Sequence, residues 1–173
     1  MITIEPILLE EVETLRELAI KTFRETFEHD NTEEQLQAFF DSDLSTAVLS
    51  KELADSESQN YFIKMDGRIA GFLKLNQGSA QTEQKLDNAI EIQRVYILKA
   101  FQGQGLGKKL LEFALEKASA SGCDWAWLGV WEYNFKAQAL YKKYGFERFS
   151  QHRFMVGDKA DTDWLLKKSL KQA

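Results

Sequence analysis

Gln102-Gly103-Gln104-Gly105-Leu106-Gly107-Lys108 is the stretch on which the reading of this chain turns. Before it runs an apolar, partly alternating segment, Ala89 to Leu98, with Ile90, Ile92, Val95 and Ile97. After it, Lys108 to Ala120 places Leu110, Leu111, Ala114, Leu115 and Ala118 at helical spacing, and Gly122 stops the pattern. The order is strand, glycine loop, amphipathic helix. Glycines at such a turn let backbone N–H groups face a ligand with no side chain in the way. The free amides and positive dipole end of the helix start then attract an anion. Lys108 and Lys109 add charge beside them. Two common phosphate loops are excluded by spacing. A nucleotide P-loop needs G-x-x-x-x-G-K-[ST], but Gly103 and Gly107 stand too close and Lys109 takes the Ser/Thr place. A dinucleotide fingerprint needs G-x-G-x-x-G on the first strand, and here the spacing is G-x-G-x-G on a later one. What remains is Q-x-x-G-x-G, from Gln102 through Gly105 and Gly107.

Working outward, Asp124 to Trp131 is an apolar run of buried-strand length, and Asn134 to Tyr144 is a helix ended by Gly145. Phe146 to Val156 and Asp163 to Leu170 form a last strand pair. On the N-terminal side, Asn60 to Met65 and Ile69 to Asn76 make a hairpin around Asp66-Gly67, and Gly78 to Asn88 is a polar loop. Thr3 to Ile7 is a short first strand. Three helical patterns follow: Leu8 to Glu28, a segment carrying Leu36, Phe39 and Phe40 behind the cap-like Asn31-Thr32, and Ser45 to Ala54. The expected architecture is an α/β sandwich around one mixed sheet of about six to seven strands flanked by helices. The strands on either side of the glycine-loop helix are joined by a crossover and should be parallel.

The chain has 173 residues, one domain's length, and its 44% hydrophobic content suffices for a core; a single domain over 1–173 is expected. One cysteine, Cys123, excludes an internal disulfide, and with two histidines no Cys/His metal cluster can be drawn, so no metal is expected. Neither a signal peptide nor a membrane span is visible, which points to the cytoplasm. The net charge of −5 hides an asymmetry. Arg24 to Glu57 holds ten acids and two bases, whereas the rest, from Ser58 on, holds eighteen bases and twelve acids. That balance disfavours nucleic acid and suits a cationic small molecule near the acidic part and a phosphate-bearing one near the basic part.

Val95-Tyr96-Ile97 followed by Gln102 to Gly107 resembles motif A of the GCN5-related N-acetyltransferases (GNAT). Asn134-x-x-Ala137-x-x-x-Tyr141-x-x-x-Gly145-Phe146 is similar to motif B of the same family, in the right order. More narrowly, Trp127 to Glu132, Tyr141-Lys142-Lys143, His152-x-Phe154-x-x-Gly157-Asp158 and Thr22-Phe23-x-x-Thr26-Phe27 resemble the bacterial PaiA-type polyamine N-acetyltransferases.

The resemblance implies acetyl-coenzyme A as cosubstrate and a primary amine, spermidine or spermine, as acceptor. It implies a central strand, Gln93 to Ile97, splayed from its parallel neighbour, Trp127 to Trp131, so that the pantetheine arm pairs with it. The cofactor-binding set it implies is Val95, Tyr96, Ile97, Gln102, Gly103, Gln104, Gly105, Leu106, Gly107, Lys108, Asn134 and Lys143. A backbone N–H around Val95 to Ile97 would bond the thioester oxygen. Tyr141, two helical turns beyond Asn134, is the expected donor to the leaving sulfur. Glu91 is the first candidate for the base and Glu132 the second; at position 93, where the polyamine-type pattern resembles a glutamate, this chain has Gln93, which cannot act as one. Other acceptors stay open, a protein N-terminus or an antibiotic amine among them, as does an acyl-coenzyme A-binding regulator without turnover. A homodimer is a further possibility through Trp164 and the aromatic residues from Phe146 to Phe154.

Overall fold

The computed structural model describes residues 1–171; the last two positions of the expected 1–173 domain lie outside the described residues. The strands are β1 (Ile2–Pro6), β2 (Ser58–Met65), β3 (Arg68–Gln77), β4 (Ala89–Ile97), β5 (Trp125–Trp131), β6 (Glu147–Val156) and β7 (Lys159–Ser169). The α-helices are α1 (Val12–Phe27), α2 (Glu33–Ser42), α3 (Thr46–Ala54), α4 (Leu106–Ala120) and α5 (Phe135–Lys143). The seven strands form one mixed sheet in the order β1-β2-β3-β4-β5-β7-β6, with β4 and β5 parallel.

Local chemistry sets the helix starts. Thr32 accepts from the Gln35 amide while the Gln35 side chain accepts from the Thr32 amide, a reciprocal cap for α2. Ser45 caps α3 and Asn134 caps α5 in the same one-sided way. Three sequence expectations need correction. The first helix begins at Val12 and not at Leu8, because a 3-10 turn, Leu9–Glu11, leads into it. The glycine-loop helix begins at Leu106, so Leu106 and Gly107 belong to its first turn. The final strand begins at Lys159, because the polar stretch Lys159 to Thr162 completes a hairpin with β6. The Gly78 to Asn88 loop holds one short 3-10 turn, Gly78–Ala80.

Each sheet face has its own core. One face buries Leu110, Leu111 and Ala114 of α4 against Leu73, Leu75, Ile90, Ile92 and Leu128. Truncating a leucine as enclosed as Leu110 costs about 2–5 kcal/mol. On the other face α1, α2 and α3 pack Phe23, Phe27, Phe39 and Leu49 over Phe62 and Phe72.

The interruption in the sheet lies at its middle. On β4, Ile92 faces Leu75 and Arg94 faces Lys74, so Gln93 is an extra residue, a bulge that bends the strand. The ladder to β5 ends just before it: Ala89, Ile90 and Glu91 face Trp125, Ala126 and Trp127, and nothing pairs beyond. From Gln93 to Ile97 the central strand is therefore only half-buried. Gly71 lets β3 stay close along this bent segment, since a Cβ there would stand 2.2 Å from the Tyr96 carbonyl oxygen.

Candidate active site

The gap between β4 and β5 opens into a cleft of ≈ 1470 Å³. At one end lies the glycine loop. Gly103 (φ +83°) and Gly105 (φ +78°) adopt left-handed backbone that other residues take only with strain. The Gln102 amide bonds the Ile97 carbonyl at 3.1 Å and closes the loop onto β4. Lys109 donates to the Gly105 carbonyl, the first backbone bond of the helical ladder, so the amides of Leu106, Gly107 and Lys108 precede it. These donors, with Lys108 and Lys143 exposed on α4 and α5, gather positive potential at this end of the cleft.

Along the gap, β4 offers free backbone groups. Leu98 donates to Ala70 on β3, so by strand alternation the amides of Ile97 and Val95 point away from β3, into the gap. An extended acyl carrier arm can pair there as an added strand. Asn134 and Tyr141 line the same space from α5. The Asn134 side-chain oxygen accepts from Ala137, which caps α5. The Tyr141 ring packs edge-on against Phe146, and burial pushes its hydroxyl up to about 12, so it carries its proton at neutral pH and can donate it. Tyr96 is pushed up further, by burial first and then by the negative charge of Asp163.

The far end, under α1 and α2, is walled by Phe23, Phe27, Phe39, Phe154 and Trp131, whose rings lie 4.3 to 6.3 Å apart in successive contacts. Asp43, Glu83, Glu91 and Asp163 also line the cleft, whereas Glu25 accepts from the Lys99 amide at 2.9 Å, beside the glycine loop. Glu91 is buried, and its oxygens accept from the Thr82 amide at 2.8 Å, the Thr82 hydroxyl at 2.6 Å and the Asn76 amide at 3.1 Å. Gln93 turns its oxygen to Lys74 (2.6 Å) and Asn76 (2.8 Å). His152 places Nε2 at 3.3 Å from Asp163 and Nδ1 at 3.2 Å from Glu83, and the two carboxylates, Asp163 foremost, raise its proton affinity.

Of the residues singled out in the sequence, Glu91, Val95, Tyr96, Ile97, Gln102, Gly103, Gly105, Leu106, Gly107, Lys108, Asn134, Tyr141 and Lys143 line this one cleft. Gln104 lies outside its wall, as does Glu132. Sequence reasoning missed Glu83 and Asp163, while Phe23, Phe27, Trp131 and Phe154 stood within the polyamine-type motifs with no wall assigned to them. His152 belongs to the same kind of motif, and no local pattern ties it to Asp163 across two strands. Among the described residues, no group of three His, Cys, Asp or Glu side chains is arranged to hold a metal, and no helix is long and apolar enough to cross a membrane.

A helix start with free amides, a splayed parallel strand pair and a partly buried tyrosine beside the gap suit an extended, phosphate-bearing acyl carrier. Residues 12–146 match the acetyltransferase (GNAT) family, and the chain belongs to it: it is an acetyl-coenzyme A-dependent N-acetyltransferase. An uncharacterized N-acetyltransferase in the pepI 3' region of Lactobacillus delbrueckii subsp. lactis is 45% identical over 150 residues, 87% of each chain. The spermine/spermidine N(1)-acetyltransferase of Bacillus subtilis (strain 168) is 27% identical over 100 residues, 55% of this chain and 66% of that protein. Among solved structures, the PaiA N-acetyltransferase of Thermoplasma acidophilum, in complex with coenzyme A, superposes with a TM-score of 0.79 at 22% identity, over 98% of this chain and 99% of that one. At that identity the likeness is one of fold.

Proposed function

We propose that the protein acetylates a polyamine of the spermidine or spermine type by direct transfer from acetyl-coenzyme A. The observation that carries this reading is the acidic, aromatic end of the cleft. Asp43, Glu83 and Asp163 line the cleft together with Phe23, Phe39, Phe154 and Trp131. Carboxylates raise the local concentration of a polycation, aromatic faces attract ammonium groups, and apolar walls take the methylene spacers. Arg94, the cation on β4, is occupied by Glu52 at 2.7 Å. The coenzyme A complex of the PaiA structure and the Bacillus acetyltransferase agree with this choice of substrates.

In this reading the loop of Gln102, Gly103, Gln104 and Gly105, with Leu106, Gly107, Lys108 and Lys143, holds the coenzyme phosphates. Val95, Tyr96, Ile97 and Asn134 hold the arm, and the Val95 or Ile97 amide takes the thioester oxygen as it becomes negative. Tyr141 donates to the leaving sulfur. A hydroxyl with a pKa near 12 is a weak acid, so its proton is replaced from the acceptor nitrogen, which becomes acidic once bonded to the acyl carbon.

The test is thiol release from acetyl-coenzyme A over a panel of spermidine, spermine, a diamine, a basic peptide and an aminoglycoside. Turnover of spermidine or spermine well above the others supports the proposal. Turnover of the peptide or aminoglycoside alone overturns the polyamine assignment. Binding of acetyl-coenzyme A with no turnover of any amine replaces the enzyme reading by a binding regulator.

A further inference from the structure

Three strands carry one row of side chains beside the gap. On β6 His152 faces Asp163 of β7, and Asp163 faces Trp131 of β5. The Asp163 carboxylate leans over Gly129, with Oδ2 3.5 Å from where a Cβ on that residue would stand. Gly129 is the β5 residue two beyond the last paired position, Trp127, so this carboxylate borders the open part of the gap. Its charge is felt by Tyr96 on the opposite bank. Behind it, His152 is one-fifth exposed and sits between Asp163 and Glu83.

The other acidic candidate on β4 is placed differently. Glu91 stands at the last paired position of the ladder, and three donors from Thr82 and Asn76 occupy its oxygens. Those bonds tie the Gly78 to Asn88 connection to the sheet. Gln93, at the bulge, is an amide whose oxygen is already taken by Lys74 and Asn76.

We infer that Asp163 and His152 are the pair that takes the proton from the acceptor ammonium, with Glu83 holding the imidazole in place. The inference rests on the amine-acetyltransfer reading above. Asp163 receives the ammonium at the gap, and one proton passes by way of its carboxylate to His152 Nε2. The neutral amine then forms a C–N bond to the thioester carbon, and the C–S bond breaks. The second proton of the nitrogen ends on sulfur through Tyr141, while the imidazolium gives its proton to solvent at its exposed edge. One ammonium and one thioester become one amide, one thiol and one free proton, so the balance closes. The charged groups bearing on the imidazole are Glu83 on the connection and Asp163 on β7; Lys85 bonds Ser150, two residues before His152 on β6, and Arg153 follows His152 in the chain. The two carboxylates raise its proton affinity and burial opposes them, the carboxylates prevailing. A base with affinity raised toward that of the ammonium narrows the gap the proton has to cross.

The experiment is kcat/KM against pH for the wild type, His152→Gln, Asp163→Asn and Glu91→Gln, using spermidine or, in its place, the panel amine that the wild type acetylates. Acetyl-coenzyme A affinity is measured alongside. The wild type is expected to lose activity in acid through a group titrating above the ordinary imidazole value of about 6.5. His152→Gln should lose that limb and about a hundredfold in kcat, with acetyl-coenzyme A affinity within about twofold of wild type. In Asp163→Asn the limb should move to lower pH, and the His152 ring, one of two histidines and so assignable by NMR, should titrate lower with it. Glu91→Gln should keep the limb. An unchanged limb in His152→Gln, an unmoved ring titration in Asp163→Asn, or loss of the limb in Glu91→Gln overturns the inference while leaving the acetyltransferase intact. A wild type that binds acetyl-coenzyme A and turns over no amine overturns both.

Discussion

Glu91 and Trp127 are the last facing pair of the β4–β5 ladder, although β4 runs on to Ile97 and β5 to Trp131. The Gln93 bulge turns β4 away just beyond Glu91, and the backbone groups released there face the cleft. Everything proposed about the reaction depends on that divergence, because a continuous ladder would leave no unpaired amides for a substrate.

Tyr141→Phe removes the one α5 hydroxyl lining the gap and leaves the ring packed on Phe146. Turnover is expected to fall by on the order of a hundredfold while acetyl-coenzyme A binds as before. Thiol release and a titration of acetyl-coenzyme A read the two quantities separately. Loss of binding with unchanged kcat would contradict the assigned role.

Gly105→Ala puts a Cβ on a residue at φ +78° with open space around it, so the penalty comes from the backbone alone. It is expected to cost roughly 1 kcal/mol of stability, a fall of about 2–4 °C in Tm. Affinity for acetyl-coenzyme A should drop by about tenfold, because relaxation of the loop turns its amides away. A thermal scan with and without acetyl-coenzyme A checks both parts, and equal affinity in the two proteins would remove the loop from the binding site.

Gly71→Ala tests the close approach of β3 to the bent part of β4. The new methyl would stand 2.2 Å from the Tyr96 oxygen, so the strands must part. A destabilisation of about 1–3 kcal/mol by urea unfolding is expected, and activity should fall with it because Val95 and Ile97 move. A stable, fully active variant would mean that the two strands tolerate separation.

Lys74 is buried beside Gln93, and burial first of all lowers its pKa from 10.5 to about 8. The unfolded chain therefore binds more protons than the folded one between about pH 8 and 10.5, so this group makes stability rise with pH across that window. Below pH 8 both states are protonated and the full desolvation penalty remains. Against Lys74→Met, the wild type should gain on the order of 3 kcal/mol from pH 7.5 to 10.5 in urea titrations. A difference that stays flat with pH would show that the amine is not desolvated in solution.

Local pattern carried much of the fold. Alternation and helical spacing placed all seven strands and five helices, and the Q-x-x-G-x-G spacing put the anion-binding loop at the start of α4. The errors were at boundaries. Leu106 and Gly107 read as loop because glycine is a poor helix former, yet the first helical turn here is where donors must stay free. Lys159 to Thr162 is polar, yet those residues pair with Arg153 to Val156 around a hairpin, and the ladder outweighs composition.

The resemblance to motifs A and B singled out Gly103, Gly105, Asn134 and Tyr141 from residues a few positions apart, and all four line the one cleft. The cluster of Glu83, His152 and Asp163 was not legible in the chain. Glu83, His152 and Asp163 come from a connection and two strands, and their meeting depends on the β6–β7 register and on how the Gly78 to Asn88 connection is pinned by Thr82 to Glu91. A shift of one residue in that register would turn His152 to the opposite face of the sheet. Such contacts follow from the packing of the whole sheet, and no short-range pattern in the amino-acid order encodes them.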